Sequence, residues 1–153
     1  MRSWRLQHKM KFKEFAILKL TFHINDEFIT DNPDASIVPE ILMHHEFRQE
    51  EKQLIVVLGL RQLTGNIPYH FEIKAGSVFQ FDGVPDEKIL KQFATINCPA
   101  IIFPYIRETI ADLTRRAGFP PLHLDPVNFI ELAKKREANN PETSEQSEPT
   151  PSN

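Results

Sequence analysis

The chain of 153 residues is poor in the residues that build several common kinds of site. It has one cysteine, Cys98, which excludes an internal disulfide, and it has no Asn-x-Ser/Thr sequon. Its five glycines are scattered, and no Gly-x-Ser-x-Gly elbow, Walker loop or dinucleotide fingerprint occurs, so nothing offers a flexible phosphate cradle. The longest aliphatic run, Leu54 to Leu58 extended by Gly59 and Leu60, is far shorter than the roughly 20 residues of a spanning helix. The apolar stretch after the N-terminal lysines is too short for a signal peptide. The expectation is one soluble domain in a reducing, cytoplasmic compartment, with no membrane insertion.

Charge is unevenly placed. The net charge is −3, yet residues 137–153 carry Glu137, Glu142, Glu145 and Glu148 with no base, so the body before them sums to +1. The first thirteen residues hold Arg2, Arg5, Lys9, Lys11 and Lys13 with no acid. A basic arm can contact phosphates, but this one lacks aromatics interleaved in a repeating pattern and any recognised binding motif, so two solvated termini are expected and no nucleic-acid partner. The end of the chain, rich in Pro, Ser, Thr, Asn and Glu, has too little apolar surface to offset the entropy of ordering. The expected division is a basic arm over 1–11, a folded domain over 12–136 and a disordered acidic tail over 137–153.

Within the domain the hydrophobic period changes. Leu18, Leu20, Phe22 and Ile24 alternate with Lys19, Thr21 and His23, which predicts a strand with one apolar face. A polar stretch from Asn25 to Pro39 follows. Ile41, Met43, His45 and Phe47 then alternate with Leu42, His44 and Glu46; Leu54 to Leu58 reads as a strand covered on both sides. The fourth strand puts Tyr69, Phe71, Ile73, Ala75, Phe79 and Phe81 on one parity. From Asp86, a predicted N-cap, the period becomes helical: Ile89, Leu90 and Phe93, then Ile102, Ile106, Ile110 and Leu113 after Pro99, ending at Arg115, Arg116 and Gly118. Phe119 to Leu124 must be extended around its paired prolines, and a last helix is expected with Asp125 as cap and Pro126 at its first position. Four antiparallel strands followed by C-terminal helices define an α+β fold.

Candidate chemistry is sparse. Cys98 with His44, His45, His70 or His123 as base would be a nucleophile pair, but Cys98 beside Pro99, Ile101 and Ile102 reads as a packing residue. His44 and His45 are neighbours on a strand and point to opposite faces, so they cannot share an ion. No catalytic residue, metal site or cofactor is expected, and the chain is not read as an enzyme. What is in excess is apolar surface: twelve phenylalanines, strands apolar on both faces, and Phe119, Leu122 and Leu124 on an extended segment. Soluble monomers avoid such exposure unless it is an interface.

The runs Ile96-Asn97-Cys98-Pro99, Phe103-Pro104-Tyr105-Ile106-Arg107-Glu108 and Gly118-Phe119-Pro120-Pro121-Leu122-His123-Leu124-Asp125-Pro126-Val127-Asn128-Phe129 resemble the bacterial protein-export chaperone family SecB. The order of the preceding strands follows the family more loosely, including Phe71-Glu72-Ile73 with Gly76 and Phe79. The resemblance implies a homotetramer built as a dimer of dimers. It also implies an ATP-independent holdase that keeps unfolded preproteins translocation-competent in apolar grooves. Carried over by position, it nominates Phe119, Leu122, Leu124, Val127 and Phe129 for client contact and Phe103, Tyr105 and Ile106 for assembly. Family members that deliver clients to the SecA ATPase present an acidic sheet face with a strand pattern near Asp-Ile-Ser-Phe-Glu. Here the matching stretch is Lys19-Leu20-Thr21-Phe22-His23, and only Glu72 of that acidic set is kept. Lys19 and His23 should weaken SecA contact, which leaves open another client such as the antitoxin of a toxin–antitoxin system.

Overall fold

The computed structural model describes residues 10–29 and 37–139. Among these, four strands form one antiparallel sheet in the order β1-β4-β3-β2: β1 (Met10–Ile24), β2 (Glu40–Arg48), β3 (Gln53–Gln62) and β4 (Tyr69–Phe81). Three strands follow one another as hairpins, and β1 lies beside β4 across the longer 25–39 connection, a Greek-key arrangement. The sheet therefore has two edges, β1 and β2. Helices α1 (Glu87–Gln92), α2 (Cys98–Arg116) and α3 (Phe129–Asn139) follow, with a π-helical turn over Phe93–Asn97 joining the first two.

One sheet face carries the core. Cross-strand pairing sets Leu54 against Phe79, Leu58 against Ala75 and Leu60 against Ile73, all buried, and α2 lays Ile102, Ile106 and Ile110 over them. Each of the larger of these side chains contributes roughly 1.5–3 kcal/mol by leaving water. Glu87–Arg116, which supplies these isoleucines, is a helical run long and apolar enough by length and composition to cross a membrane, and about a third of its apolar window is buried inside the subunit.

The four antiparallel strands match the sequence expectation, which does not place β1 beside β4, and β1 departs in detail. It runs for 15 residues and has two register shifts, between Phe12 and Glu14 and between Ile17 and Lys19. A bulge inserts a residue and resets which side chains share a face. Phe12, Phe15, Ile17, Leu20, Phe22 and Ile24 consequently pair on the helix side, whereas Leu18, expected with Leu20, stands on the open side over Gly76. A Cβ on Gly76 would lie 2.9 Å from Leu18 Cδ1, so the glycine makes room for the displaced leucine.

The helix ends also differ in part. Asp86 occupies the N-cap position of α1 but makes no side-chain cap bond. The C-terminus of α2 is as expected: Gly118 at φ 93 closes it, with Phe119 N–H donating to Thr114 O at 3.0 Å and Gly118 N–H to Arg115 O at 3.1 Å, a Schellman motif. The last helix starts at Phe129, not after Asp125, because the chain stays extended through Pro126 and Val127 and Asn128 supplies the cap, accepting Glu131 N–H at 3.2 Å. β1 begins at Met10, inside the expected 1–11 arm. At the other end α3 continues to Asn139, past 136, where Arg136 donates to Ile41 O at 2.9 Å and Glu137 pairs with Lys91 at 3.2 Å. The rest of the basic arm, the tail beyond Asn139 and residues 30–36 lie outside the described residues.

Candidate client-binding cleft and partner face

A cleft of about 190 Å³ opens where the extended segment after α2 passes the sheet edge. Ile37, Val38, Pro39 and Ile41 form one wall, Leu124, Pro126 and Val127 the other, and Leu60 and Phe103 the floor. The lining is aliphatic and aromatic, with Asp125 its charged member. Val38, 74% exposed, stands at the mouth.

The extended segment keeps its shape because prolines prevent it from coiling and because Thr114 fastens it to α2. Fully buried, Thr114 Oγ1 accepts Leu122 N–H at 2.9 Å while it donates to the carbonyls of Ile110 (2.9 Å) and Ala111 (3.0 Å). One hydroxyl thus satisfies a backbone donor that the segment cannot pair with itself.

The residues nominated for client contact are spread along this segment. Leu124 and Val127 line the cleft. Phe129, 4% exposed, packs edge-on against Phe103 with ring centroids 6.0 Å apart and supports the cleft from beneath. Phe119, half-buried, covers Tyr69 at 5.0 Å, and Leu122 is half-buried beside Thr114, both toward the far end of α2. Of the residues nominated for assembly, Phe103 and Ile106 are buried within the subunit; Tyr105 is 45% exposed and lies against Phe12 (6.1 Å, stacked) and Phe15 (5.0 Å) of β1. Phe103 therefore belongs to the cleft floor as well. The sequence reading missed Ile37, Val38, Pro39, Ile41 and Leu60, although an Ile-Val-Pro run closing a polar connection is a visible signal.

The sheet face away from the helices carries a row of paired charges. Lys19, Glu72, Arg61 and Glu40 run across all four strands: Lys19 Nζ is 2.5 Å from Glu72 Oε1, and Arg61 meets Glu40 at 2.7 and 3.1 Å. The hydrogen bond from Lys19 holds the Glu72 carboxyl below the usual carboxylate range, helped by the positive charges of Lys19, Lys74 and Arg61, while burial acts in the opposite direction. Glu72, nominated from the sequence for partner contact, is only 4% exposed and already paired.

Nothing at Cys98 resembles an activated nucleophile. It is fully buried, its thiol lies 3.6 Å from Met10 Sδ, and burial pushes its pKa up to about 12. His44 and His45 pair with Val57 and Val56 on opposite sheet faces, as the alternation requires. Among the described residues no group of three or more His, Cys, Asp or Glu side chains is placed to hold a metal.

Comparison with known proteins agrees with this geometry. The profile of the family described as preprotein translocase subunit SecB matches residues 30–140. The protein-export protein SecB of Xanthobacter autotrophicus is 42% identical over 104 residues, 68% of this chain and 66% of the relative. That of Paracoccus denitrificans is 32% identical over 123 residues, covering 71% and 69%. The Afipia carboxidovorans protein is 35% identical over 96 residues, and the match spans 59% of its length. Among solved structures, the SecB-like chaperone of Mycobacterium tuberculosis, in complex with an antitoxin peptide, superposes with a TM-score of 0.63 at 17% identity, covering 77% of this chain and 90% of that one. The match in sequence and the shared fold together establish that the chain belongs to the SecB family.

Proposed function

We propose that this protein is an ATP-independent holdase that binds unfolded preproteins along an apolar groove and keeps them competent for Sec-dependent export in the cytoplasm. The observation that carries the reading is the cleft between Val38 and Val127, walled by apolar side chains on a proline-held segment. Such a lining rewards any apolar stretch of a client at about 25 cal/mol per Å² whatever its sequence. The exposed apolar side chains of β1, including Ile17, Leu20 and Ile24, with Tyr105 beside them, support assembly through this edge into the tetramer that family membership implies. Repeated clefts would multiply weak contacts into useful avidity.

The test is suppression of aggregation of a denatured client, read by light scattering beside the oligomeric state. Full-length protein should protect without nucleotide. Val127→Asp and Val38→Asp, placed at the cleft, should lose most of that protection with the assembly unchanged. A protein that stays monomeric and gives no protection would overturn the reading.

A second reading, a SecB-type chaperone serving another client such as an antitoxin, is favoured by the Lys19–Glu72 pair, which consumes the one acid kept on the partner face. Calorimetry with SecA separates the two. Tight wild-type binding supports general export, whereas no binding until Lys19→Asp and His23→Glu are combined supports a redirected chaperone.

A further inference from the structure

A pair of imidazoles on the open sheet face is used neither by the cleft nor by the charge array. His23 on β1 and His70 on β4 are direct cross-strand partners, so both side chains leave the sheet on the same side. Their ring centroids are 5.6 Å apart. The rings stand edge-to-face at 75°, and an ion bound at ~2.1 Å to one nitrogen of each in tetrahedral geometry holds two such centroids roughly 5 Å apart, close to the spacing of this pair.

The hydrogen bonding of His70 suits this role. Its Nε2 lies 3.1 Å from the carbonyl of Gly65, an oxygen that can only accept, so Nε2 carries the proton and Nδ1 keeps its lone pair. A histidine that donates one N–H to a backbone carbonyl and offers its other nitrogen is the arrangement that orients metal-ligating imidazoles. His23 is exposed and free to turn toward it. The nearest acid along β4 on this face, Glu72, is engaged by Lys19, and no third protein ligand completes the set among the described residues.

The geometry points to His23 and His70 as a two-imidazole site for one divalent transition-metal ion of the zinc, nickel or copper class, its remaining positions filled by water. Imidazole suits these ions over magnesium or calcium, which prefer oxygen. Bound there, the ion ties the edge strand β1 to β4 and places a positive charge on the partner face.

The test is calorimetric titration of the full-length protein with zinc chloride, repeated with nickel chloride. One ion should bind per chain, with affinity reduced at least ~10-fold in His23→Gln and in His70→Gln. His44→Gln, on the same sheet face but away from the pair, should bind like wild type. At zinc 100-fold above the wild-type dissociation constant, the folded-to-unfolded ratio should rise about 100-fold in the wild type and by no more than about 10-fold in His23→Gln. Because His23 is exposed, that variant decides the matter even if His70→Gln disturbs the adjoining turn. Absence of binding up to millimolar zinc, or undiminished binding in His23→Gln, overturns the assignment.

Discussion

Lys19 of β1 reaches across to β4 and places its ammonium 2.5 Å from the carboxylate of Glu72, on the sheet face that lies away from the helices. The pair joins the edge strand to its neighbour and leaves Glu72 little charge to offer a partner. Because the Glu72 carboxyl is held below its ordinary value, the unfolded chain takes up this proton at a higher pH than the folded one. The pair's contribution is therefore complete above the ordinary glutamate value, near 4.5, and is lost as pH falls below it toward the lowered value. Urea unfolding at pH 6, 4.5 and 3.5, conditions chosen to bracket roughly that window, should show a shallower acid loss in Glu72→Gln than in wild type. Equal slopes would mean that the pair adds nothing to the folded state.

Ser77 stands on the helix-facing side of β4, opposite Val56, with its hydroxyl buried and no hydrogen-bond partner among the described residues. A buried polar group left unpaired costs about 1–3 kcal/mol, whereas the volume lost on removing one oxygen is small. Ser77→Ala should therefore raise stability by about 1 kcal/mol, read as a higher midpoint in chemical denaturation with an unchanged slope.

Cys98 should behave as an inert core residue. With its thiol raised to about 12 by burial, it stays protonated through neutral pH, and a thiol reagent should label it only as fast as the protein opens. The same shift makes alkali destabilising: the unfolded thiol ionises from its ordinary value near 9, so this group's contribution is complete below that pH and declines as pH rises toward 12. Cys98→Ala should retain full client protection, and rapid labelling of the native protein at pH 7 would show that the site is open.

Much of this architecture is legible in the residues. The parity of Tyr69, Phe71, Ile73, Ala75, Phe79 and Phe81 defines the core face of β4, and Gly118 marks the end of α2 through the positive φ it adopts. Leu18 is misread because a bulge is a change of backbone count that alternation alone does not reveal. Asp125-Pro126 mimics a helix start, yet the cap that forms is Asn128, where the side chain reaches the third following N–H. For the cleft, the segment Phe119–Phe129 is found from its resemblance to the family, while the opposing wall at Ile37–Ile41 comes from a distant part of the chain. Which of the nominated residues face outward depends on packing: Leu124 and Val127 share a wall, whereas Phe129 turns beneath it.

The hydroxyl of Thr114 links helix stability to the shape of the cleft, and this coupling can be measured. Thr114→Val keeps the volume and the β-branch but leaves Leu122 N–H without an acceptor in a half-buried place. The expected cost is about 1–3 kcal/mol, the penalty of an unpaired donor, read as a lower unfolding midpoint. Because the bond fixes Leu122, two residues before the cleft-lining Leu124, the variant should also protect clients less well at temperatures where it is still fully folded. Thr114→Ser keeps the hydroxyl and should restore protection, with only the smaller loss expected from removing a buried methyl group. If Thr114→Val lowered stability while protection stayed at the wild-type level, the segment would hold its course through its prolines alone, and the hydroxyl would serve the fold without shaping the cleft.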